Sequence, residues 1–245
     1  MRLPTALVIQ HSSAEPPGRL SDWLLEAGVL SDVAEPYNGT PLPVDLDGYD
    51  ALVVLGGAMS ANDDAHVPWL APTKDLLRAA VTDGTPTLAI CLGAQLLAVA
   101  LGGRAARGED GPEIGPALVA KRDVAAADPL FGPVPFTPDV VQWHYDGITA
   151  LPAGAVLLAS SPRYPTQAFR LGDAAWGLQF HIETTPEMVK SWADADAAQL
   201  AEHGIEADRV LARLDEAHAD VGEVWQPFTR RFAELVRRTA YGQRA

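Results

Sequence analysis

Short, almost purely apolar runs punctuate the first half of the chain. They are Ala6-Leu7-Val8-Ile9-Gln10, Ala51-Leu52-Val53-Val54-Leu55 and Thr87-Leu88-Ala89-Ile90. Runs of four or five such residues, bounded by glycine, proline or polar residues, read as strands buried on both faces, as in a parallel sheet. Between them lie longer stretches with helical character. Leu20 to Ala27 is closed by Gly28, Trp69 to Asp83 by Gly84, and Ala94 to Leu101 by Gly102-Gly103; a glycine just past the last turn is a common helix stop. A short strand is expected near Val33, followed by a Pro- and Asp-rich loop to Tyr49. Strands alternating with helices predict an α/β fold of three layers, a mostly parallel sheet with helices on both faces.

The second half is patterned differently. Residues 104–116 are rich in glycine and proline without clear periodicity, which predicts an irregular, mobile segment. From Leu118 to Leu171 short apolar runs alternate with turns: Leu118-Val119-Ala120, Val140-Val141-Gln142-Trp143, Val156-Leu157-Leu158-Ala159 and Gln167-Ala168-Phe169-Arg170. This reads as a β-rich insertion or sheet extension. Beyond Pro186 three helices are expected, Glu187 to His203, Asp208 to Asp220 and Glu223 to Thr239. Trp225, Phe228, Phe232 and Leu235 form an apolar stripe at helical spacing. The chain is therefore divided into an α/β domain over 1–190 and a helical extension over 191–245 docked on it. Arg230, Arg231, Arg237, Arg238 and Arg244 make the end of that extension a solvated basic face.

Composition narrows the function. With 18 Lys and Arg against 32 Asp and Glu the formal net charge is −14, which repels phosphate backbones and disfavours nucleic acid as a partner. Hydrophobic and charged residues make up 48% and 20%, the proportions of a globular protein. A single cysteine excludes an internal disulfide framework and fits a reducing, cytoplasmic setting. Met1-Arg2-Leu3-Pro4 runs straight into the first strand, so no signal peptide is expected, and no apolar run reaches the ~20 residues of a membrane span.

The single cysteine, Cys91, stands where an apolar strand gives way to a helix, with Ala89 two residues before it and Gly93 two after. A lone cysteine in an apolar segment is more often a packing residue. The small flanking residues instead describe a nucleophile elbow, a sharp strand-to-helix turn that crowds its neighbours. It puts the thiol at a helix N-terminus, where the dipole favours thiolate. A base is available in Gln179-Phe180-His181-Ile182-Glu183. If that stretch is extended, His181 and Glu183 point to the same side. The carboxylate could then fix one imidazole tautomer while the other nitrogen faces Cys91. Gly56-Gly57 follows the second apolar strand and leaves room for a backbone N–H to turn toward a ligand. His11, at the end of the first strand, is assigned a hydrogen-bonding role. The six histidines, His11, His66, His144, His181, His203 and His218, show no metal-ligand spacing. No phosphate-binding or dinucleotide-binding glycine loop is present, so no cofactor and no metal are expected.

Cys91-Leu92-Gly93-Ala94-Gln95 together with Gln179-Phe180-His181-Ile182-Glu183 resembles the class I glutamine amidotransferase family, and within it free-standing proteins similar to the glutaminase domain of GMP synthase. The resemblance covers roughly residues 1–190. Family members often have glycine where Ala89 stands and proline where Ile182 stands. The resemblance implies a flavodoxin-like α/β fold and a Cys91–His181–Glu183 triad that opens the side-chain amide of glutamine through a thioester. It implies an oxyanion hole from the amides of Gly57 and Leu92, and a substrate pocket formed by Gly56, Gln95, Trp143, His144 and Tyr145. The ammonia would pass to an acceptor synthase protein in trans. Two rivals remain open at this stage: a γ-glutamyl hydrolase or peptidase using the same triad, and a regulatory or redox-sensing protein with a reactive cysteine.

Overall fold

The computed structural model describes residues 2–242. Its strands are β1 (Thr5–Ile9), β2 (Leu30–Ala34), β3 (Ala51–Val54), β4 (Thr87–Ile90), β5 (Arg104–Arg107), β6 (Glu113–Leu118), β7 (Ala120–Lys121), β8 (Asp139–His144), β9 (Asp146–Ala150), β10 (Val156–Ser160), β11 (Ala168–Leu171) and β12 (Ala175–Leu178). Its α-helices are α1 (Gly18–Glu26), α2 (Leu70–Asp83), α3 (Leu92–Ala100), α4 (Pro186–Ala195), α5 (Ala197–Glu202), α6 (Ala207–Leu211) and α7 (Leu214–Gly242).

Eight strands form one sheet in the order β2-β1-β3-β4-β12-β11-β10-β7. The pairings from β2 through β12 are parallel, and those from β12 through β7 antiparallel. Alternate residues of one strand serve opposite layers, as the two-residue period of a strand requires. On β1, Ala6 and Val8 join a core with α1 and α7, while Leu7 and Ile9 join a second core with α2 and α3. Helices thus cover both faces, which is why the central strands β1, β3 and β4 carry almost no polar residues.

The register decides what meets at the carboxyl edge. Ile9 pairs with Val54, Val54 with Ala89, and Leu178 with Ile90. Gln10 and His11, Leu55 and Gly56, Cys91, and Gln179 therefore emerge side by side at the edge where parallel sheets bind their ligands.

Four expectations are corrected. Residues 104–116 are not an irregular segment: they hold β5, paired with β9, and most of β6, paired with β8. Local periodicity was silent because the pairing partners lie some 20 to 45 residues away. The expected helix 187–203 is broken at Asp196 into α4 and α5. Conversely, the expected pause near Gly222 is absent, and α7 runs unbroken from Leu214 to Gly242 through Pro227. Its buried stripe, Val221, Trp225, Phe228 and Phe232, packs into the same core as β1 and β4, and that packing outweighs the helix-breaking tendency of glycine and proline. Of the basic face, Arg231 is docked rather than solvated, donating to the Leu130 carbonyl at 3.1 and 2.9 Å; Arg244 lies outside the described residues. Among the described residues no helix is long and apolar enough to cross a membrane.

Candidate active site

β4 ends on Ile90, and Cys91 turns the chain into α3 with φ 51° and ψ −110°. It is the only non-glycine residue with positive φ among the described residues. An L-residue is strained there, and such strain persists only where the surroundings fix it. They do: Cys91 N–H donates to Leu178 O (2.7 Å), and Cys91 O accepts from Gln95 N–H (3.1 Å). Gly93 N–H donates to Leu55 O (3.1 Å), and a Cβ at Gly93 would run into the Val54 carbonyl. The requirement for a small residue after the nucleophile is thus a close approach of helix to strand. The Cys91 sulfur lies 3.9 Å from the Trp143 carbonyl and accepts from Gln179 Nε2 at 3.8 Å.

His181 is held by an isolated bridge to β8, its N–H donating to Val141 O (2.8 Å). Its Nδ1 meets Glu183 Oε1 at 2.6 Å, and Glu183 Oε2 accepts the Ile182 N–H at 2.9 Å. Both side chains are buried. Burial alone would pull the His181 imidazolium down. The Glu183 and Cys91 charges, and hydrogen bonds to both side chains, lift it well above the ordinary histidine value. The Glu183 carbonyl accepts the Arg19 N–H (2.9 Å), an approach possible because Gly18 has no side chain: a Cβ there would collide with that carbonyl. Helix α7 braces the segment from the other side. Phe180 packs on Trp225 with ring centres 5.0 Å apart, and Thr184 Oγ1 meets His218 Nε2 at 3.0 Å. Burial lowers the pKa of His218, whose Nδ1 donates to Leu214 O, so this histidine is a neutral structural tie.

Cys91 opens into a pocket of about 350 Å³. The sequence-derived candidates Gly57, Gln95, Trp143, His144 and Tyr145 all line it. Gln95 Nε2 donates to Asp146 O (3.1 Å) and Gln179 Oε1 (3.3 Å), linking both halves of the site. His144 turns Nδ1 to Asp146 O (2.9 Å) and Nε2 toward Glu113 (3.3 Å), so both ring nitrogens face protein groups. Arg107 stacks over the Tyr145 ring at 4.6 Å. Gly56 lies behind this surface, beneath Glu15 and His181. His11 is buried beside Gly57; its Nδ1 accepts from Trp69 Nε1 (3.1 Å), and burial lowers its pKa to about 4. It is a neutral acceptor that ties α2 to the sheet edge.

Sequence reasoning missed Glu15, Arg107, Trp192 and Asp196, which also line the pocket. Asp196, the residue that breaks α4 from α5, accepts the Trp143 indole N–H at 2.8 Å. Trp192 packs against both His181 and Trp143, with ring centres 4.8 and 5.8 Å away. The stretch assigned to a helical extension thus supplies one wall of the site. A signal for Glu15 did exist: it sits in the first β–α loop, just before Pro16-Pro17-Gly18, at the edge where ligands bind.

A family model described as glutamine amidotransferase class-I matches residues 23–192, and the chain belongs to that family. It is 29% identical over 197 residues to a putative glutamine amidotransferase-like protein of Salmonella typhimurium, covering 79% of this chain and 82% of that one. It is 26% identical to gamma-glutamyl peptidase 4 of Arabidopsis thaliana over 78% of this chain and 76% of the relative. A crystal structure of a glutamine amidotransferase from Thermotoga maritima superposes with a TM-score of 0.84 at 30% identity, covering 96% of this chain and all of that one. The architecture is that of class I glutamine amidotransferases.

Proposed function

We propose that this protein is a cysteine-dependent glutaminase that opens the side-chain amide of glutamine and hands ammonia to an acceptor protein in trans. The observation that carries this reading is Cys91 in its strained elbow beside a His181 whose imidazolium the Glu183 and Cys91 charges favour, and whose Nδ1 is fixed by Glu183 at 2.6 Å. A packing cysteine requires neither the strain nor the buried pair. The same pair argues against a redox sensor, which needs only a low-pKa thiol.

In the proposed reaction the Cys91 thiolate attacks the amide carbon and forms an S–C bond. The resulting oxyanion is held by the N–H groups of Gly57 and of Leu92, the first residue of α3, each donor contributing about 3 kcal/mol. Imidazolium His181 gives its proton to the nitrogen as the C–N bond breaks. It then accepts a proton from the water that attacks the thioester, releasing glutamate and the free thiolate. Arg107, the one Lys or Arg among the described lining residues, suits the substrate's α-carboxylate. Gln95, Trp143, His144, Tyr145 and Asp146 form the rest of the proposed cradle. A nucleophilic thiol survives best in a reducing compartment, which favours the cytoplasm.

The likeness to gamma-glutamyl peptidase 4 supports a second reading, in which the same triad releases an amino acid or peptide from a γ-glutamyl linkage. A substrate panel on the purified chain tests both. Ammonia from glutamine supports the glutaminase. Rapid cleavage of γ-glutamyl dipeptides with inert glutamine selects the peptidase, and no reaction with either class, with intact fold, overturns both.

A further inference from the structure

We propose that Glu15 is the leaving-group residue of this site: its free carboxyl oxygen accepts an N–H from the nitrogen that departs from the γ-glutamyl carbon. The inference rests on the thioester chemistry proposed above and adds a residue to it.

Glu15 lies in the β1–α1 loop and lines the pocket with Cys91. Its Oε2 is buried and has no hydrogen-bond partner among the described residues. A buried acceptor left unsatisfied costs free energy that a bound donor restores. Its position says which donor. The point where a Cβ on Gly56 would stand is 2.7 Å from Glu15 Oε2 and 3.1 Å from His181 Cε1. Carboxyl and imidazole thus both close in on the place a side chain at residue 56 would take, so Glu15 Oε2 lies beside the Cε1 edge of the His181 ring. The Nδ1 of His181 is taken by Glu183, so Nε2 is the nitrogen left to protonate the leaving group. Nε2 adjoins Cε1 in the ring, and a departing nitrogen held there is the donor assigned to Glu15. An amide or amine nitrogen presents N–H; an ester oxygen does not.

The titratable groups facing Glu15 are His181 and Glu183 from the segment after β12 and Asp196 from the α4–α5 junction. Burial, with the Glu183 and Asp196 charges and against the pull of His181, raises its pKa to about 7. It therefore shifts from acid to carboxylate, the stronger acceptor, across neutral pH.

The test compares two substrates that give the same thioester. One is glutamine or γ-glutamylglycine, whichever the wild type cleaves; the other is glutamate γ-methyl ester. Glu15→Leu keeps the volume and removes both acceptors. It should lower kcat/KM for the amide by about 10- to 100-fold and leave the ester within about threefold. Glu15→Gln, which retains an acceptor oxygen, should recover most of the loss. Should Glu15→Leu fail to fold, the pH profile carries the test. The wild-type ratio of amide to ester kcat/KM should rise through about pH 7, because titrations shared by both substrates cancel, and Glu15→Gln should flatten it. Equal losses on both substrates, no loss on either, or a wild-type ratio indifferent to pH would overturn the assignment. A wild type that cleaves neither amide nor ester would overturn the proposed chemistry itself.

Discussion

Glu183 holds His181 with one carboxylate oxygen and the chain's own Ile182 N–H with the other, at 2.6 and 2.9 Å. The second contact freezes the carboxylate plane and so fixes the imidazole it orients. It also depends on a departure from the family pattern, because a proline at 182 has no N–H to donate. Glu183→Gln should lower kcat by about 10²- to 10⁴-fold, the range expected when a tautomer-fixing carboxylate is lost. Ile182→Pro should lower it by only about three- to tenfold, since one of the two contacts survives. Equal rates for Ile182→Pro and wild type in steady-state assays would show that the backbone contact does not matter.

The strain at Cys91 predicts a trade between stability and activity. Cys91→Ala and Cys91→Gly should both be inactive. The glycine variant, free to adopt φ 51°, should be the more stable of the two by about 1 kcal/mol, or roughly 2–4 °C in Tm. Calorimetry decides this, and a lower Tm for the glycine variant would show that the elbow is unstrained.

Removing the Cys91 charge should also be felt at His181. Because that charge helps to raise the imidazolium pKa, Cys91→Ser should bring the His181 titration, followed by NMR, below its wild-type midpoint. An unchanged midpoint would mean that thiol and imidazole are not coupled.

Gly93→Ala tests the packing of elbow against sheet. A methyl there meets the Val54 carbonyl, a backbone atom within β3 that cannot swing aside. Destabilisation of about 2–3 kcal/mol is expected, measured as a lower denaturant midpoint at unchanged slope.

Glu15 gives a pH dependence of defined sign. Its pKa is about 7 in the folded protein against an ordinary 4.5, so the folded state binds this proton more tightly than the unfolded chain. Its contribution favours folding below about pH 4.5 and is lost as pH rises from there through 7. Glu15→Gln should therefore gain more thermal stability over wild type at pH 8 than at pH 5. A constant difference across that range would contradict the raised pKa.

The sequence by itself determined the parallel strands, the helices between them, and the elbow. These are local matters: the apolar runs of β1, β3 and β4 must be buried on both faces, and Cys91 flanked by Ala89 and Gly93 fits a tight strand-to-helix turn. His181 and Glu183 were legible because two residues in one short segment carry the pairing. Tertiary structure decided what no local pattern encodes. The ribbons β5–β9 and β6–β8 form between strands distant in sequence, so residues 104–116 looked shapeless alone. Helix α7 crosses Gly222 and Pro227 because burying Trp225, Phe228 and Phe232 outweighs their propensities. Glu15, Trp192 and Asp196 became pocket residues only when the first loop and the α4–α5 junction were brought over the carboxyl edge. A carboxyl acquires chemical meaning there from what surrounds it, and its surroundings come from segments some 40 to 180 residues away.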